Sequence, residues 1–291
     1  MTWNDWLLTN EVYVRLGFFF GVLAAVAAWE IASPRRTPSS SKLLRWSNNL
    51  GLVVLNSIVV RLLLPAAAVT LAALAMQNGW GLLNIYSLPP VPTIVLSIVA
   101  LDMIIYLQHV MFHAVPILWR LHRVHHADPE YDVTTGTRFH PLEIIISMLI
   151  KLTTILVLGP PVVAVVLFEI ILNATAMFNH GNIRLPDAVD RILRLIVVTP
   201  DMHRVHHSVE YDEANSNFGF SLPWWDRLFG TYRAQPLAGH QRMVIGIHGY
   251  HDPRQITLLP GMLLMPFKGK PDDYAINRHR ETQTQSRGND Q

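Results

Sequence analysis

The 291-residue chain contains no cysteine. Disulfides, cysteine-ligated zinc, iron–sulfur clusters and thiol nucleophiles are therefore excluded, and any metal must be held by nitrogen and oxygen ligands. Charge is scarce as well. Asp, Glu, Lys and Arg make up 15% of the residues, against roughly 25% in ordinary soluble domains. The net charge is only +2 and the basic residues form no single face, which gives no support to nucleic acid as a partner. Apolar sequence is what remains. It amounts to 51% of the chain, concentrated in long runs, and that points to a membrane protein.

The first run, Val12 to Ala32, has 21 residues. At about 1.5 Å per residue it would span roughly 31 Å, the thickness of a bilayer core. Asp5 and Glu11 precede it, without the positive flank of a signal peptide, so it reads as a retained span. A polar linker, "SPRRTPSSSKLLRWSNN" (Ser33–Asn49), follows, and then an apolar stretch from Leu50 to Met76 interrupted by Arg61. The uncharged, Gly- and Pro-rich segment Gln77–Pro92 reads as a turn-laden loop. A third run covers Thr93–Phe112. Two more, Leu142–Leu158 and Val162–Phe178, are separated only by "GPP" and form a helical hairpin that enters the membrane and returns. The expectation is an all-α integral membrane bundle of about three spans plus this hairpin. It would comprise an N-terminal transmembrane region (1–92), a catalytic domain (93–267) and a charged, disordered tail (268–291).

Orientation follows from the basic residues. The Ser33–Asn49 linker carries four Lys/Arg, whereas the N-terminus before Val12 and the Gln77–Pro92 loop carry none. The positive-inside rule places the linker in the cytoplasm, and with it the end of the third run and both ends of the hairpin. The membrane would be the cytoplasmic membrane of a bacterium or the endoplasmic reticulum of a eukaryote.

The chain has fourteen histidines, and the pentapeptide HRVHH occurs twice, at His122–His126 and His203–His207, each copy soon followed by Tyr-Asp. "HVMFH" puts His109 and His113 one helical turn apart at the cytoplasmic mouth of the third span. In each HRVHH all three imidazoles are expected to converge. His140 and His180 flank the hairpin, which brings ten histidines into one cytoplasmic layer. His240, His248, His251 and His279 lie outside it, without ligand-like spacing. Imidazole suits iron, zinc, copper and nickel. One ion needs only three or four protein ligands, so eight to ten histidines imply two metals.

These motifs carry a resemblance. The blocks "LDMIIYLQHVMFH", "LWRLHRVHHADPEYD", "RFHPLE", "NHGN" and "DMHRVHHSVEYDEANSNFGFSLPWWDRLFGTY" resemble the fatty acid hydroxylase/sterol desaturase superfamily of membrane di-iron oxygenases. The resemblance covers roughly Ser97–Tyr232. It implies two iron ions, with dioxygen as co-substrate, held by His109, His113, His122, His125, His126, His180, His203, His206 and His207, with His140 as a further motif position. It also implies insertion of oxygen into a C–H bond of a lipid or sterol-like substrate drawn from the bilayer, or removal of hydrogen from it. No flavin fingerprint or fused haem module is present, so electrons would come from a separate donor, a ferredoxin or a cytochrome b5-like protein with its reductase.

Two alternatives belong to other classes. A membrane zinc hydrolase needs a carboxylate base beside its ligands, and neither HExxH nor HxxEH is present. A non-catalytic metal-binding protein would explain histidines alone, but a transporter places its ligands at mid-bilayer. Among other residues, Asp102 shares a helix face with His109 and is expected to orient an imidazole or to pair with Arg61. Glu143 and Asn179 are candidates to support ligands, and "WWDRLFGTY" reads mainly as an aromatic anchor at the interface.

Overall fold

The computed structural model describes residues 3–64, 68–86, 88–269 and 275–276, and among these the regular structure is entirely helical apart from two isolated bridges. The long helices are α1 (Trp3–Ala32), α2 (Lys42–Leu63), α3 (Ala68–Asn78), α5 (Pro90–Ala114), α7 (Pro141–Leu158) and α8 (Val162–Asn179). Between α3 and α5 lies the short α4 (Leu82–Ile85). The histidine segments add α6 (Pro116–His126) and α10 (Pro200–His206), joined by α9 (Asp187–Leu193), α11 (Tyr211–Ala214) and α12 (Trp224–Leu228). Five stretches are long and apolar enough to cross a membrane: Trp6–Ala32, Lys42–Ile85, Pro90–Ala114, Pro141–Leu158 and Val162–Asn179. This is an integral membrane helical bundle. The expected tail and His279 fall, apart from Lys268, Gly269, Ala275 and Ile276, outside the described residues.

Proline sets the starts of the helices that matter. It opens α5, α6, α7 and α10, where its fixed φ suits the first turn and its missing N–H costs nothing. Val115 is at once the C-cap of α5 and the N-cap of α6, in an extended conformation forced by the following proline. The chain therefore turns between HVMFH and the first HRVHH, and the two motifs can face each other.

The apolar core lies between the membrane-length helices: Val69 and Ala72 of α3, Leu101 of α5, Ile155 of α7, and Val165 and Phe168 of α8. Within it, Glu169 of α8 is buried and paired with Lys151 of α7 (2.7 Å) and Arg15 of α1 (3.1 Å), so one carboxylate clasps three helices. At the far end of the bundle from the histidines, the 79–86 turn meets the tip of the α7–α8 hairpin. A Cβ on Gly81 would overlap the backbone of Gly159, and one on Gly159 would meet Trp80 and Asn84. Both glycines have positive φ (93° and 67°), so these positions need the residue twice over. The hairpin thus runs the full depth from the histidine layer to the Gln77–Pro92 side.

The polar linker differs from its expected form. Helix α2 begins inside it, at Lys42, with Ser41 as N-cap, and the stretch expected from Leu50 to Met76 resolves into α2 and α3. The physical reason is a polar stripe. Arg45, Asn49 and Asn56 are buried on one face of α2, against the 128–139 loop. Arg45 donates to both oxygens of Asp128 (2.8 Å each) and to Asp132 (2.7 Å), Asn49 to Thr134 (3.0 Å), and Asn56 to the Phe139 carbonyl (2.9 Å). Burial alone would raise the Asp128 carboxyl, but Arg45 and Arg138 outweigh it and hold the group down at about 2.

Candidate metal centre

Nine of the ten singled-out histidines come together, all of them buried. His109 and His113 project from the last turns of α5; His122, His125 and His126 lie on α6. His180 is the C-cap of α8, and α10 contributes His203 and His206, with His207 as its C-cap. They form two adjoining groups. One holds His109, His113, His122, His126 and His206; the other holds His125, His180, His203 and His207. In each, the candidate ligand nitrogens lie within 4.8 Å of one another.

The two HRVHH copies do not each converge on one point, contrary to the spacing argument. Residues four apart stay together, so His122 and His126 join the first group and His203 and His207 the second. The histidine at the third step crosses over: His125 joins the second group and His206 the first. A helix turns 100° per residue, so the imidazole at i+3 sits about 100° away from its neighbour at i+4 and can serve a second ion beside the first. The two copies are reciprocal, each giving two rings to one group and one to the other.

Hydrogen bonds fix which nitrogen carries the proton. The carbonyls of Phe218, Ser216 and Ala176 can only accept, and they meet Nδ1 of His109, His206 and His180 at 2.7 Å each. Glu143 Oε1 lies 2.6 Å from His122 Nδ1, and Asn215 Oδ1 lies 3.2 Å from His113 Nδ1. Each of these rings therefore donates from Nδ1 and turns an Nε2 lone pair inward. Those Nε2 atoms face other imidazole nitrogens closely: His109 meets His122 and His206 at 3.0 Å, and His113 meets His126 at 3.1 Å. His180 meets His125 and His207 at 3.2 Å. For His109, His122 and His206 this sets lone pair against lone pair, which repels unless a cation lies among them. Protonating the rings is not the remedy. Burial pushes His122 and His180 down to about 3, and His125, His126, His203, His206 and His207 fall well below the ordinary histidine value for the same reason. His203 Nε2 is buried with no hydrogen-bond partner among the described residues. The donor set is neutral, nitrogen-only and preorganised, and it fits two transition-metal ions.

A loop that motif reading did not single out does much of the orienting. Asn217 has a left-handed backbone (φ 51°), a conformation asparagine tolerates better than most residues. This turn lets the carbonyls on either side of it, Ser216 and Phe218, both reach rings of the first group. The Asn217 side chain ties the loop to Met202 and Arg233 (2.9 and 2.8 Å), and Asp226 accepts from Phe218 N and Gly219 N (2.8 and 2.9 Å). Asp226 belongs to the "WWDRLFGTY" segment, so that segment is more than an aromatic anchor. Asp102 does not orient an imidazole directly and does not pair with Arg61, which is exposed. Its Oδ2 accepts from Trp225 Nε1 (2.8 Å) and Leu222 N (3.3 Å), fastening the same loop to α5.

The Tyr-Asp that follows the first HRVHH also has a role. Tyr131 packs on His180 and His207, donates to the Asn179 carbonyl (2.6 Å) and lies under Arg204, the arginine of the second copy. Asn179 anchors the loop by donating to the Phe220 carbonyl at 2.8 Å. Phe139 stacks on His125 (4.5 Å), while Phe220 lies 5.2 Å from His109 and 5.9 Å from His203. These two rings, 6.5 Å apart, separate both groups from the apolar core.

His140 is not brought to either group. It caps α7, its Nδ1 accepting from Leu142 N (3.2 Å), and its Nε2 faces the Leu263 carbonyl (3.2 Å). His240, His248 and His251 also stand apart from both groups.

Fold and site together define a helical membrane protein with paired, metal-ready histidine clusters. Residues 94–231, just under half of the chain, match the fatty acid hydroxylase family. An ornithine lipid hydroxylase, OlsE, of Rhizobium tropici is 30% identical over 143 residues, covering 49% of this chain and 42% of that protein. The alkylglycerol monooxygenase of Homo sapiens is 30% identical over 147 residues, 49% of this chain and 30% of that protein. A fatty acid hydroxylase, vlmA, of Lecanicillium sp is 26% identical over 209 residues, 67% of this chain and 55% of that protein. The chain thus spans less than half the length of the first two. No solved structure matches it significantly.

Proposed function

We propose that this chain is a membrane-bound di-iron oxygenase that inserts oxygen into a C–H bond of a lipid, with hydroxylation preferred over desaturation. The observation that carries the reading is the pair of buried clusters whose inward nitrogens face each other as neutral lone pairs, at the ends of membrane-length helices. His109, His113, His122, His126 and His206 would hold one iron, and His125, His180, His203 and His207 the other. Bound there, iron would supply the activation of dioxygen that attack on an unactivated C–H bond requires. The preference for hydroxylation is supported by the relatives, named as hydroxylases and monooxygenases.

The chain's own residues do the rest. The Ser216 and Phe218 carbonyls, Ala176, Asn215 and Glu143 hold the rings in one tautomer and one orientation. Phe139 and Phe220 keep water from the membrane side and present an apolar surface to an alkyl chain arriving between α5, α7 and α8. Electrons would arrive from a separate ferredoxin or cytochrome b5-like partner, on the cytoplasmic face assigned by the positive-inside rule. An untargeted lipid comparison of cells with and without the protein, under labelled dioxygen, tests the reading. One lipid should gain a single labelled oxygen atom; a lipid profile unchanged by folded, iron-loaded protein would contradict it.

Glu143 offers a narrower check. It touches His122 on the side away from the cluster, so it positions a ring rather than binding metal. Glu143→Gln should retain most of the iron and slow turnover by about 10–100-fold, the usual cost of losing such a partner. Native turnover with native iron content in that variant would show that the contact is idle.

A further inference from the structure

One exposed apolar surface has no partner among the described residues. It is built from two segments distant in sequence, α9 with the turn after it and α12. Ile192, Leu195, Ile196, Trp224, Leu228 and Phe229 are between 45% and 69% exposed, far more than isolated surface residues would suggest for a contiguous patch. Hydrogen bonds weld the segments together: Trp224 Nε1 donates to the Leu195 carbonyl (2.8 Å) and Arg227 Nη2 to the Arg194 carbonyl (3.1 Å).

The position of this surface follows from what it touches on α5. Phe229 stacks on Tyr106 (5.5 Å), whose hydroxyl shares a hydrogen bond with Thr231 (2.9 Å), and Trp225 donates to Asp102 (2.8 Å). Tyr106 and Asp102 lie on the membrane side of His109 and His113. At about 1.5 Å per residue they stand roughly 12 and 18 Å from the helix end at Ala114. Helix α12 therefore packs against a part of α5 that belongs in hydrocarbon, and the apolar side chains next to it occupy the same level. Arg191 is exposed beside them, placed to reach headgroups while its stem lies along the apolar surface, whereas the Arg227 guanidinium stacks on Tyr232 (4.2 Å).

We propose that residues 187–198 and 222–229 form a single membrane-inserted surface that seats the histidine layer in the adjoining lipid leaflet. Its partner is the acyl region of that leaflet, with anionic headgroups met by Arg191. Because this segment also carries Asp226, which holds the loop orienting His109 and His206, the lipid surface and the metal-orienting loop are mechanically one unit. The assignment depends on membrane insertion of α5 and not on any catalytic activity.

The chain has no native cysteine, so single-cysteine variants need no further engineering. Ile192→Cys, Leu228→Cys and, as a reference outside the proposed surface, Leu237→Cys (85% exposed) would each be reconstituted as full-length protein in vesicles containing anionic phospholipid. Native helix content is required of all three. Burial in hydrocarbon should slow reaction of positions 192 and 228 with a membrane-impermeant maleimide by on the order of tenfold or more relative to position 237. Spin labels at positions 192 and 228 should be relaxed by oxygen, which partitions into lipid, and not by a water-soluble nickel chelate. Labelling as fast as position 237, with relaxation by nickel, would overturn the proposal. So would protection from both oxygen and nickel that fades on dilution of the protein in lipid, because that pattern means a second copy covers the surface.

Discussion

His206→Ala is expected to abolish turnover, by well over the roughly 10–100-fold that loss of a supporting contact costs, and to strip iron from the chain. His206 is the crossing ring of the second HRVHH. Its Nε2 sits 3.0 Å from His109 Nε2, and its Nδ1 is held by the Ser216 carbonyl. Removing it opens a gap in the five-ring group and frees the 216–218 loop from one of the two rings it orients. His125→Ala, the crossing ring of the first copy, should act alike through the other group. His251→Ala, exposed and outside both groups, should change neither metal content nor turnover. Iron analysis and lipid turnover on the three variants decide the matter. Full activity in His206→Ala would remove that residue from the site.

Arg45→Met should produce a large loss of stability. Arg45 is 2% exposed and bridges buried Asp128 and Asp132, so its loss leaves Asp132 without a cation and Asp128 with only Arg138, at 3.8 Å. Breaking a buried ion pair by removing one partner typically costs about 3–5 kcal/mol. The damage should reach the metal centre, because Asp128 follows His126 by two residues and Thr135 of the same network adjoins Gly136. A Cβ on Gly136 would strike the Ala176 carbonyl that orients His180, so this turn is packed directly against the cluster. Thermal unfolding in detergent checks the size of the effect. Adding Asp128→Asn and Asp132→Asn to Arg45→Met should recover part of it, since the penalty lies in the unpaired charge. Native melting of Arg45→Met would contradict this account of α2.

What could be read from the sequence has a common physical character. Membrane-length helices announce themselves through length and composition, which is why α5, α7 and α8 fall within a few residues of the expected bounds. Histidine is rare enough that HVMFH and the two HRVHH copies pointed to the metal-ready layer. What escaped depended on direction and on distant partners. The spacing i, i+3, i+4 suggests one face, yet the difference of one residue divides His125 from His126 and His206 from His207. The carbonyls of Ser216 and Phe218 carry no side-chain signature, and only the left-handed Asn217 hints that the backbone turns there. Arg45 and Asn49 looked like solvated linker because their partners lie some eighty residues away. Asp102 shares a helix face with His109, but Trp225, not an imidazole or Arg61, is what it meets.

The metal stoichiometry of the purified chain tests the central claim most directly. Loaded anaerobically with ferrous iron and freed of loosely bound ions, the chain should retain two irons, one for each histidine group. Their Mössbauer spectrum should be that of two nitrogen-rich sites magnetically coupled to each other. A single tightly held zinc, or one iron whose retention is indifferent to both His125→Ala and His206→Ala, would contradict a two-ion centre.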